Sequence, residues 1–190
     1  LWLSTEAFDA AEGVYDNGYG PRRDVKVTHQ RTVVFVKPDY WVVMDRLLGN
    51  GAHTYDILWH LDSADAETDP RKLVAWGTEP DAANLLIAPS GLPGLKLNIV
   101  KGREDPVLGW GLVAQRRPRP CLDYQAKAEG NAAIAWALVP FQGAHPPVAV
   151  TAAADGAAHV VTVSGPWGED TISIAPRGEP NPIRIRRAPK

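Results

Sequence analysis

The 190-residue sequence has no second cysteine and no long apolar run. Cys121 is the only cysteine, so an internal disulfide is excluded and cysteine usage does not indicate the compartment in which the protein works. No stretch approaches the roughly 18 consecutive apolar residues that a membrane-spanning helix requires. We therefore expect no membrane span.

An excess of charge of one sign is also missing. The 20 lysines and arginines nearly balance the 22 aspartates and glutamates, which gives a formal net charge of −2. The two basic clusters, Arg116 to Arg119 and Arg184 to Lys190, are short. Without a basic face the sequence argues against a nucleic-acid partner, and any binding of a polyanion must be local.

Helical periodicity is nearly absent as well. Apolar residues recur instead in alternating or β-branched runs of ~4 to 8 residues, bounded by Gly, Pro, Asn or Asp. This pattern predicts one all-β domain over residues 1–190, a two-sheet antiparallel β-sandwich with under about a tenth of its residues helical. The predicted strands beyond residue 62 are Lys72 to Trp76, Asn84 to Ala88, Leu95 to Val100, Val107 to Gln115, Tyr124 to Ala128, Ala132 to Val139, Val148 to Ala153, Ala158 to Ser164, Asp170 to Ala175 and Ile183 to Arg187.

The segment before residue 62 predicts a three-stranded meander. Its strands run from Val25 to Val36, Tyr40 to Leu48 and His53 to Leu61, with turns at Lys37 to Asp39 and Gly49 to Gly51. A two-residue hairpin at the second turn would place Trp41 opposite His60 and Asp45 opposite Asp56.

Side chains suited to metal binding or proton transfer are concentrated in this meander. The alternation of a strand places His29 and Arg31 on one face. Asp45 and His60 share a side of the predicted sheet but lie roughly 13 Å out of line, so both could bind one ion only if a bulge or a longer loop shifted the register. The candidate side chains are His29, Asp45, His53 and His60, with Arg31 and Arg46 beside them.

Two interpretations of these residues remain open. Two imidazoles and a carboxylate suit a zinc ion. In the structural alternative Asp45 pairs with Arg31 or Arg46, and His60 is a hydrogen-bonded core histidine beneath Trp41.

Aromatic residues allow a similar choice. The strand tryptophans Trp41, Trp59 and Trp136 are predicted to be core residues, whereas Trp167, in a turn, is predicted to be exposed and able to stack on a sugar ring. A further group, Tyr15 and Tyr19, lies in the loop before the His29 strand, where tyrosines could line a cleft, act as acids or simply cover an edge.

Several short motifs resemble the C-terminal β-sandwich of heparinase II/III-type polysaccharide lyases, over about residues 10 to 62. A later segment, Ala135 to Pro140, also resembles a strand of that family. The motifs are His29-Gln30-Arg31, Tyr40-Trp41-Val42-Val43-Met44-Asp45-Arg46-Leu47, Gly49-Asn50-Gly51-Ala52-His53 and Trp59-His60-Leu61.

The resemblance implies a supersandwich-like fold and a longer protein. Lyases of this family carry an N-terminal (α/α) toroid that forms much of the substrate cleft, and this sequence contains no such region. Because the chain begins at Leu1 rather than Met, we expect it to be the C-terminal segment of such a lyase. The family also implies a periplasmic or secreted location.

The resemblance further implies β-elimination on an acidic, uronic-acid-containing polysaccharide such as a glycosaminoglycan or alginate. His29 corresponds to a sandwich histidine that reaches the cleft, and Arg31 could bind a substrate carboxylate. Alternatively, the family's metal site places zinc on His29, Asp45 and His60, where it would brace the sheet. Relatives often have a second histidine where this chain has Val27. A non-catalytic carbohydrate-binding or structural module is the alternative function.

Overall fold

A computed structural model describes residues 1–111 and 117–188. All strand pairs in these two ranges are antiparallel, and no described residue is helical. Consequently these ranges contain no helix that is long and apolar enough to cross a membrane. The predicted all-β antiparallel sandwich is confirmed, although three main sheets pack in layers where two were predicted.

Most predicted strands form with small shifts of their ends. The predicted strand Val107 to Gln115 differs: among its described residues, 107–111, a two-residue strand forms, and residues 112–115 lie outside the described ranges. The strands are β1 (Trp2–Ser4), β2 (Phe8–Tyr15), β3 (Val27–Val36), β4 (Tyr40–Gly49), β5 (Ala52–His60), β6 (Ala66–Asp69), β7 (Val74–Gly77), β8 (Asn84–Pro89), β9 (Lys96–Lys101), β10 (Arg103–Glu104), β11 (Val107–Leu108), β12 (Pro120–Glu129), β13 (Ala132–Phe141), β14 (Ala149–Asp155), β15 (Ala158–Gly165), β16 (Gly168–Ile174) and β17 (Ile183–Ala188).

A large central sheet, in the order β1-β2-β3-β4-β13-β8-β7-β6, is covered on both faces. The four-stranded sheet β14-β15-β16-β17 packs on one face, and the three-stranded sheet β5-β12-β9 packs on the other. Alternation along β4 supplies both cores: Val42 and Met44 belong to the first, and Val43 to the second. Burial on both sides explains why β4 and β13 are nearly continuous apolar runs.

The predicted meander is only half correct. Strands β3 and β4 form the expected hairpin around Lys37 to Asp39, but β4 pairs next with β13, and β5 pairs with β12 in a different sheet. The predicted hairpin at Asn50-Gly51 is therefore wrong, and so are the pairings of Trp41 with His60 and of Asp45 with Asp56. In the structure Trp41 faces Leu138, Asp45 faces Ile134, Asp56 faces Gln125 and His60 faces Cys121.

The chain leaves the central sheet for the three-stranded sheet between β4 and β5, and returns between β12 and β13. These two crossings lie side by side and form a double corner. The turn after β4 lies beside the turn that joins β12 to β13, and Gly130 N donates to Gly51 O at 2.8 Å. Gly49 N donates to the Asn131 side-chain oxygen at 3.0 Å. Gly51 and Gly130 both have positive φ (78° and 69°), which glycine adopts without steric cost. Residues 49–51 are therefore as compatible with a corner between two sheets as with the hairpin that the sequence predicted.

The tryptophans follow the predictions in part. Trp136 is fully buried, and Trp59 packs edge-on against it at 5.6 Å between ring centroids. Trp41 is partly buried and stacks on Phe35 at 4.5 Å. The prediction of an exposed Trp167 is wrong, because this ring stacks on Tyr40 at 4.3 Å and packs against the core.

A buried carboxylate ties the four-stranded sheet to the central one. Asp170 has no exposed surface; it accepts a hydrogen bond from the Tyr40 hydroxyl at 2.7 Å and two from the Arg187 guanidinium at 2.8 Å. Arg187 also contacts Asp39 at 2.8 Å. These bonds compensate the desolvation of the buried charge.

We expect Tyr40→Phe to lower the free energy of unfolding by about 1.5–3 kcal/mol, because a buried carboxylate loses a donor. Urea denaturation monitored by circular dichroism measures the change. Tyr55→Phe is the matched control: the Tyr55 hydroxyl is buried and has no hydrogen-bond partner among the described residues, so its removal should be neutral or stabilising. Equal losses in both variants would contradict this account of the Asp170 cluster.

Candidate functional site

An open cleft of about 470 Å³ lies between β3 and β4 of the central sheet on one side and β5 on the other. It contains two of the residues predicted to be catalytic, His29 and Arg31, together with Asp45. The remaining lining residues come from the loop before β3, from β3 and β4 themselves, and from β5. They are Tyr19, Val25, Val27, Leu47, His53, Thr54, Tyr55, Asp56, Ile57 and Leu58.

Asp45 is the centre of the site. Its side chain is only 1% exposed, yet its carboxylate accepts four hydrogen bonds. His29 Nε2 lies 2.7 Å from Oδ1, and Arg31 contributes Nε at 2.6 Å and Nη2 at 2.9 Å. Trp136 Nε1, from β13, donates to Oδ2 at 3.0 Å. The cross-strand register places Arg31 directly opposite Asp45.

The charge of Asp45 is maintained by these donors. Burial raises the pKa of the Asp45 carboxyl, but the hydrogen bonds from His29 and Arg31 and the positive charge of Arg31 outweigh burial and leave the pKa below its usual value. Asp45 is therefore an anion at neutral pH despite its position in the sheet.

The contact with Asp45 determines the tautomer of a neutral His29. A carboxylate can only accept, so Nε2 must carry the hydrogen. The unshared electron pair is then on Nδ1, which makes no hydrogen bond with the residues that the structure describes. A carboxylate that orients an imidazole in this way is the usual arrangement of a histidine acting as an acid or base.

Arg31 lies between the carboxylate and an aromatic ring. Its Cζ is 5.1 Å from the centroid of the Trp59 ring, within the range of a cation–π interaction. Because the Asp45 contacts use Nε and Nη2, the second terminal nitrogen remains for another acceptor. The side chain is 37% exposed at the cleft.

The structure does not bring His60 into this cluster. His60 is exposed on the outer face of β5, and its Nε2 lies 3.8 Å from the sulfur of Cys121. The reason is the double corner, which moves β5 into another sheet and turns His60 away from Asp45.

The arrangement of these side chains does not fit the zinc site that the resemblance implied. Besides His29, Arg31 donates two hydrogen bonds and Trp136 one to the Asp45 oxygens, so these oxygens are already occupied. The positive charge of Arg31 would also repel a cation at that position. Within residues 1–111 and 117–188, no group of three or more His, Cys, Asp or Glu side chains is arranged to hold a metal ion. We assign no chemical step to a metal, and zinc on His29, Asp45 and His60 stays a prediction.

Sequence reasoning missed one residue of the candidate site, Trp136. It lies 91 residues from Asp45 in the chain, and only the pairing of β13 with β4 brings its N–H to the carboxylate. No local pattern identifies that pairing. The open alternative of an Asp45–Arg31 ion pair is realised, whereas Arg46 pairs instead with Glu12 at 2.6 Å on the opposite face.

Comparison with known protein families identifies the family of this chain. A family model described as heparinase II/III-like, C-terminal, matches residues 4–137. The chain belongs to this heparinase II/III-like C-terminal family. A search of curated protein sequences finds no significant match.

Solved lyases have the same fold. The heparan sulfate lyase HepC from Pedobacter heparinus is 18% identical with a TM-score of 0.72, and the match covers 92% of this chain and 27% of that one. A heparinase III is 14% identical with a TM-score of 0.74, covering 93% of this chain and 27% of that one. Identities this low show the fold alone. The chain spans little more than a quarter of the length of these structures.

We expect Asp45→Asn to lower the free energy of unfolding by on the order of 3 kcal/mol at pH 7, because it removes the negative charge that pairs with Arg31 and replaces one of the two acceptor oxygens with an NH2 donor. The folded-state pKa of Asp45 is depressed, so its contribution is present above the unfolded carboxyl's pKa of about 3.9 and is lost as the pH falls through the folded value. Denaturant titrations between pH 2 and 7 should therefore show the two proteins converging in acid.

Asp56→Asn provides the control, since Asp56 lies in the same cleft but is exposed; we expect a change within about 0.5 kcal/mol. A constant difference between wild type and Asp45→Asn across this pH range would contradict the assignment.

For zinc, the described arrangement predicts well under one ion per molecule in the purified chain, measured by plasma emission spectroscopy after dialysis. One zinc per molecule that is lost in His60→Ala would instead support the ligand set implied by the resemblance.

Proposed function

We propose that this chain is the C-terminal part of a polysaccharide lyase and forms one wall of a cleft in which an acidic, uronic-acid-containing polysaccharide is cleaved by β-elimination. The observation that carries the proposal is the imidazole of His29, held by buried Asp45 at an open cleft. Membership of the heparinase II/III-like family supports the reaction class. So does the shared fold with a heparan sulfate lyase.

The reaction requires three functions at once. A base removes the proton on the carbon next to the uronate carboxylate, an acid protonates the departing glycosidic oxygen, and a positive group stabilises the carboxylate as negative charge develops on it. The electron pair of the broken C–H bond forms the new double bond as the C–O bond breaks. The products are an unsaturated uronate end and a new hydroxyl end.

His29 is suited to one of the proton transfers. With Nε2–H held by Asp45, Nδ1 can accept a proton, and the resulting imidazolium is stabilised by the adjacent carboxylate. Arg31 suits the third function, since its unused nitrogen can donate to a substrate carboxylate while Asp45 and Trp59 hold the guanidinium in place.

The remaining groups would come from an N-terminal (α/α) toroid in the full-length parent. The short span of this chain relative to solved lyases is consistent with a missing domain. We also propose that the parent is periplasmic or secreted, where bacterial enzymes meet such polymers. A non-catalytic carbohydrate-binding or structural role is the alternative that activity measurements would reveal.

In the full-length parent, we expect His29→Ala to reduce kcat by on the order of 100-fold or more, as for loss of an acid or base. Product is followed by the ultraviolet absorbance of the unsaturated uronate on glycosaminoglycan and alginate substrates. His145→Ala is the matched control, because His145 is an exposed histidine outside the cleft, stacked on Trp76. Unchanged kcat in His29→Ala would remove His29 from the mechanism, and a parent inactive on every uronate polymer would favour the binding-module alternative.

The isolated chain of residues 1–190 should show no appreciable turnover in the same assay, because it lacks the scaffold that orients the other groups. Robust product from this chain alone would show that the complete active site lies in the sandwich.

A further inference from the structure

Arg31 has open space on the side away from Asp45. The register of β2 and β3 places Gly13 directly opposite Arg31, and residues directly opposite each other in antiparallel strands have their side chains on the same face of the sheet. Apart from its chain neighbours, a Cβ added at Gly13 would meet no atom within 4 Å. Asp45, on β4, therefore flanks Arg31 on one side, and room for a ligand remains on the other side, above Gly13.

The guanidinium of Arg31 has a nitrogen available for a ligand in that space. Nε and Nη2 form one edge of this planar group and donate to Asp45 at 2.6 and 2.9 Å. Nη1 points away from that edge and makes no hydrogen bond with the described residues. Because Asp45 and the ring of Trp59 both hold the guanidinium, its position is fixed before a ligand binds.

A second hydrogen-bond donor, the phenol of Tyr19, lines the same cleft. Its ring packs edge-on against Tyr15, with 5.2 Å between the centroids, and Tyr15 lies directly opposite His29. Two backbone hydrogen bonds, at 2.9 and 3.2 Å, join Tyr19 to Val25, and the Tyr15 hydroxyl donates to Gly18 O at 2.9 Å. These contacts fix the loop that carries Tyr19 beside the strand of His29 and Arg31.

The Tyr19 hydroxyl makes no hydrogen bond with the described residues, and the side chain is exposed at the cleft. Partial burial is the main reason that the pKa of the Tyr19 phenol lies above its usual value; the charge of Asp45 also raises it, and that of Arg31 lowers it. Both charges thus act on the phenol, which is close to them and remains a protonated donor at neutral pH.

We propose that the carboxylate of the substrate uronate lies in the space above Gly13, bound by Arg31 Nη1 and by the hydroxyl of Tyr19. This inference rests on the proposed function. A carboxylate has two acceptor oxygens, so the guanidinium and the phenol can each donate to it. His29 projects from the same face two residues along β3, roughly 7 Å away, which places the imidazole beside the sugar that carries this carboxylate.

The variant Tyr19→Phe removes the donor and keeps the ring. It is made in the full-length parent carrying His29→Ala, which prevents turnover, and affinities are measured by isothermal titration. The ligands are an alginate and a heparan sulfate oligosaccharide, each compared with the same molecule after its carboxylates are reduced to alcohols. We expect Tyr19→Phe to weaken binding of a uronate ligand roughly tenfold and to leave the affinity for its reduced form unchanged.

The melting temperature of Tyr19→Phe should equal that of its parent, because the lost hydroxyl has no partner among the described residues. Tyr40→Phe is the matched control. It removes a hydroxyl bonded to Asp170 on the opposite face of the central sheet, so it should lower stability and leave the affinity unchanged.

The variant Gly13→Val fills the proposed space with a side chain that strands favour. The melting temperature should stay the same or rise, whereas the affinity for a uronate ligand should fall roughly tenfold or more, because the carboxylate is excluded. Ala152→Val is the matched control, since it adds the same side chain at an exposed position of β14, in the four-stranded sheet. We expect it to bind as the parent does.

Three results overturn the inference: an unchanged uronate affinity in Tyr19→Phe or Gly13→Val, an equal loss for the uronate ligand and its reduced form in Tyr19→Phe, or no binding of either uronate ligand by the parent. Turnover by the parent with His29 intact tests the proposed function separately. If that protein cleaves a uronate polymer while both variants bind normally, the inference alone fails. If it cleaves none, the proposed function fails, and the affinities alone decide the carboxylate site.

Discussion

The carboxylate of Asp45 lies inside a β-sheet, where the loss of hydration costs several kcal/mol unless the charge is fully compensated. The need to compensate this charge determines where His29, Arg31 and Trp136 lie around Asp45. Arg31 and His29 must project from β3 toward the same point, and β13 must supply the Trp136 N–H from the other side of β4. The catalytic candidates are therefore positioned by the hydrogen bonds that the buried carboxylate requires.

The central sheet repeats this device on its other face. Asp170, from the four-stranded sheet, is held by Tyr40 and Arg187, and a third buried group joins Arg46 to Glu12 and Thr32. Apolar burial between layers is not directional, whereas these hydrogen bonds are satisfied in only one register. The bonds of Asp45 and Arg46 fix neighbouring strands of the central sheet relative to one another, and the bond between Tyr40 and Asp170 fixes the four-stranded sheet on the central one.

Local patterns in the sequence predicted the local features of this structure. Alternation along β3 correctly placed His29 and Arg31 on one face, and the turn at Lys37 to Asp39 forms the expected hairpin. The pairing of strands was harder to predict, because the residues 49–51 suit a corner between sheets as well as a hairpin. The choice depends on β13, which lies far along the chain, pairs with the edge of β4 and buries its two faces against the two outer sheets. The position of His60, the contact of Trp136 with Asp45 and the burial of Trp167 all follow from such long-range packing.

The central claim is that Asp45 holds His29 as the Nε2–H tautomer and leaves Nδ1 free at the cleft. Long-range proton–nitrogen correlation spectra of the isolated chain, recorded at a pH where the imidazole is neutral, report directly which ring nitrogen carries the hydrogen. We expect a protonated Nε2 and an unprotonated Nδ1 in the wild type, and a mixture of tautomers in Asp45→Asn. A protonated Nδ1 in the wild type, or identical spectra in the two proteins, would contradict the account.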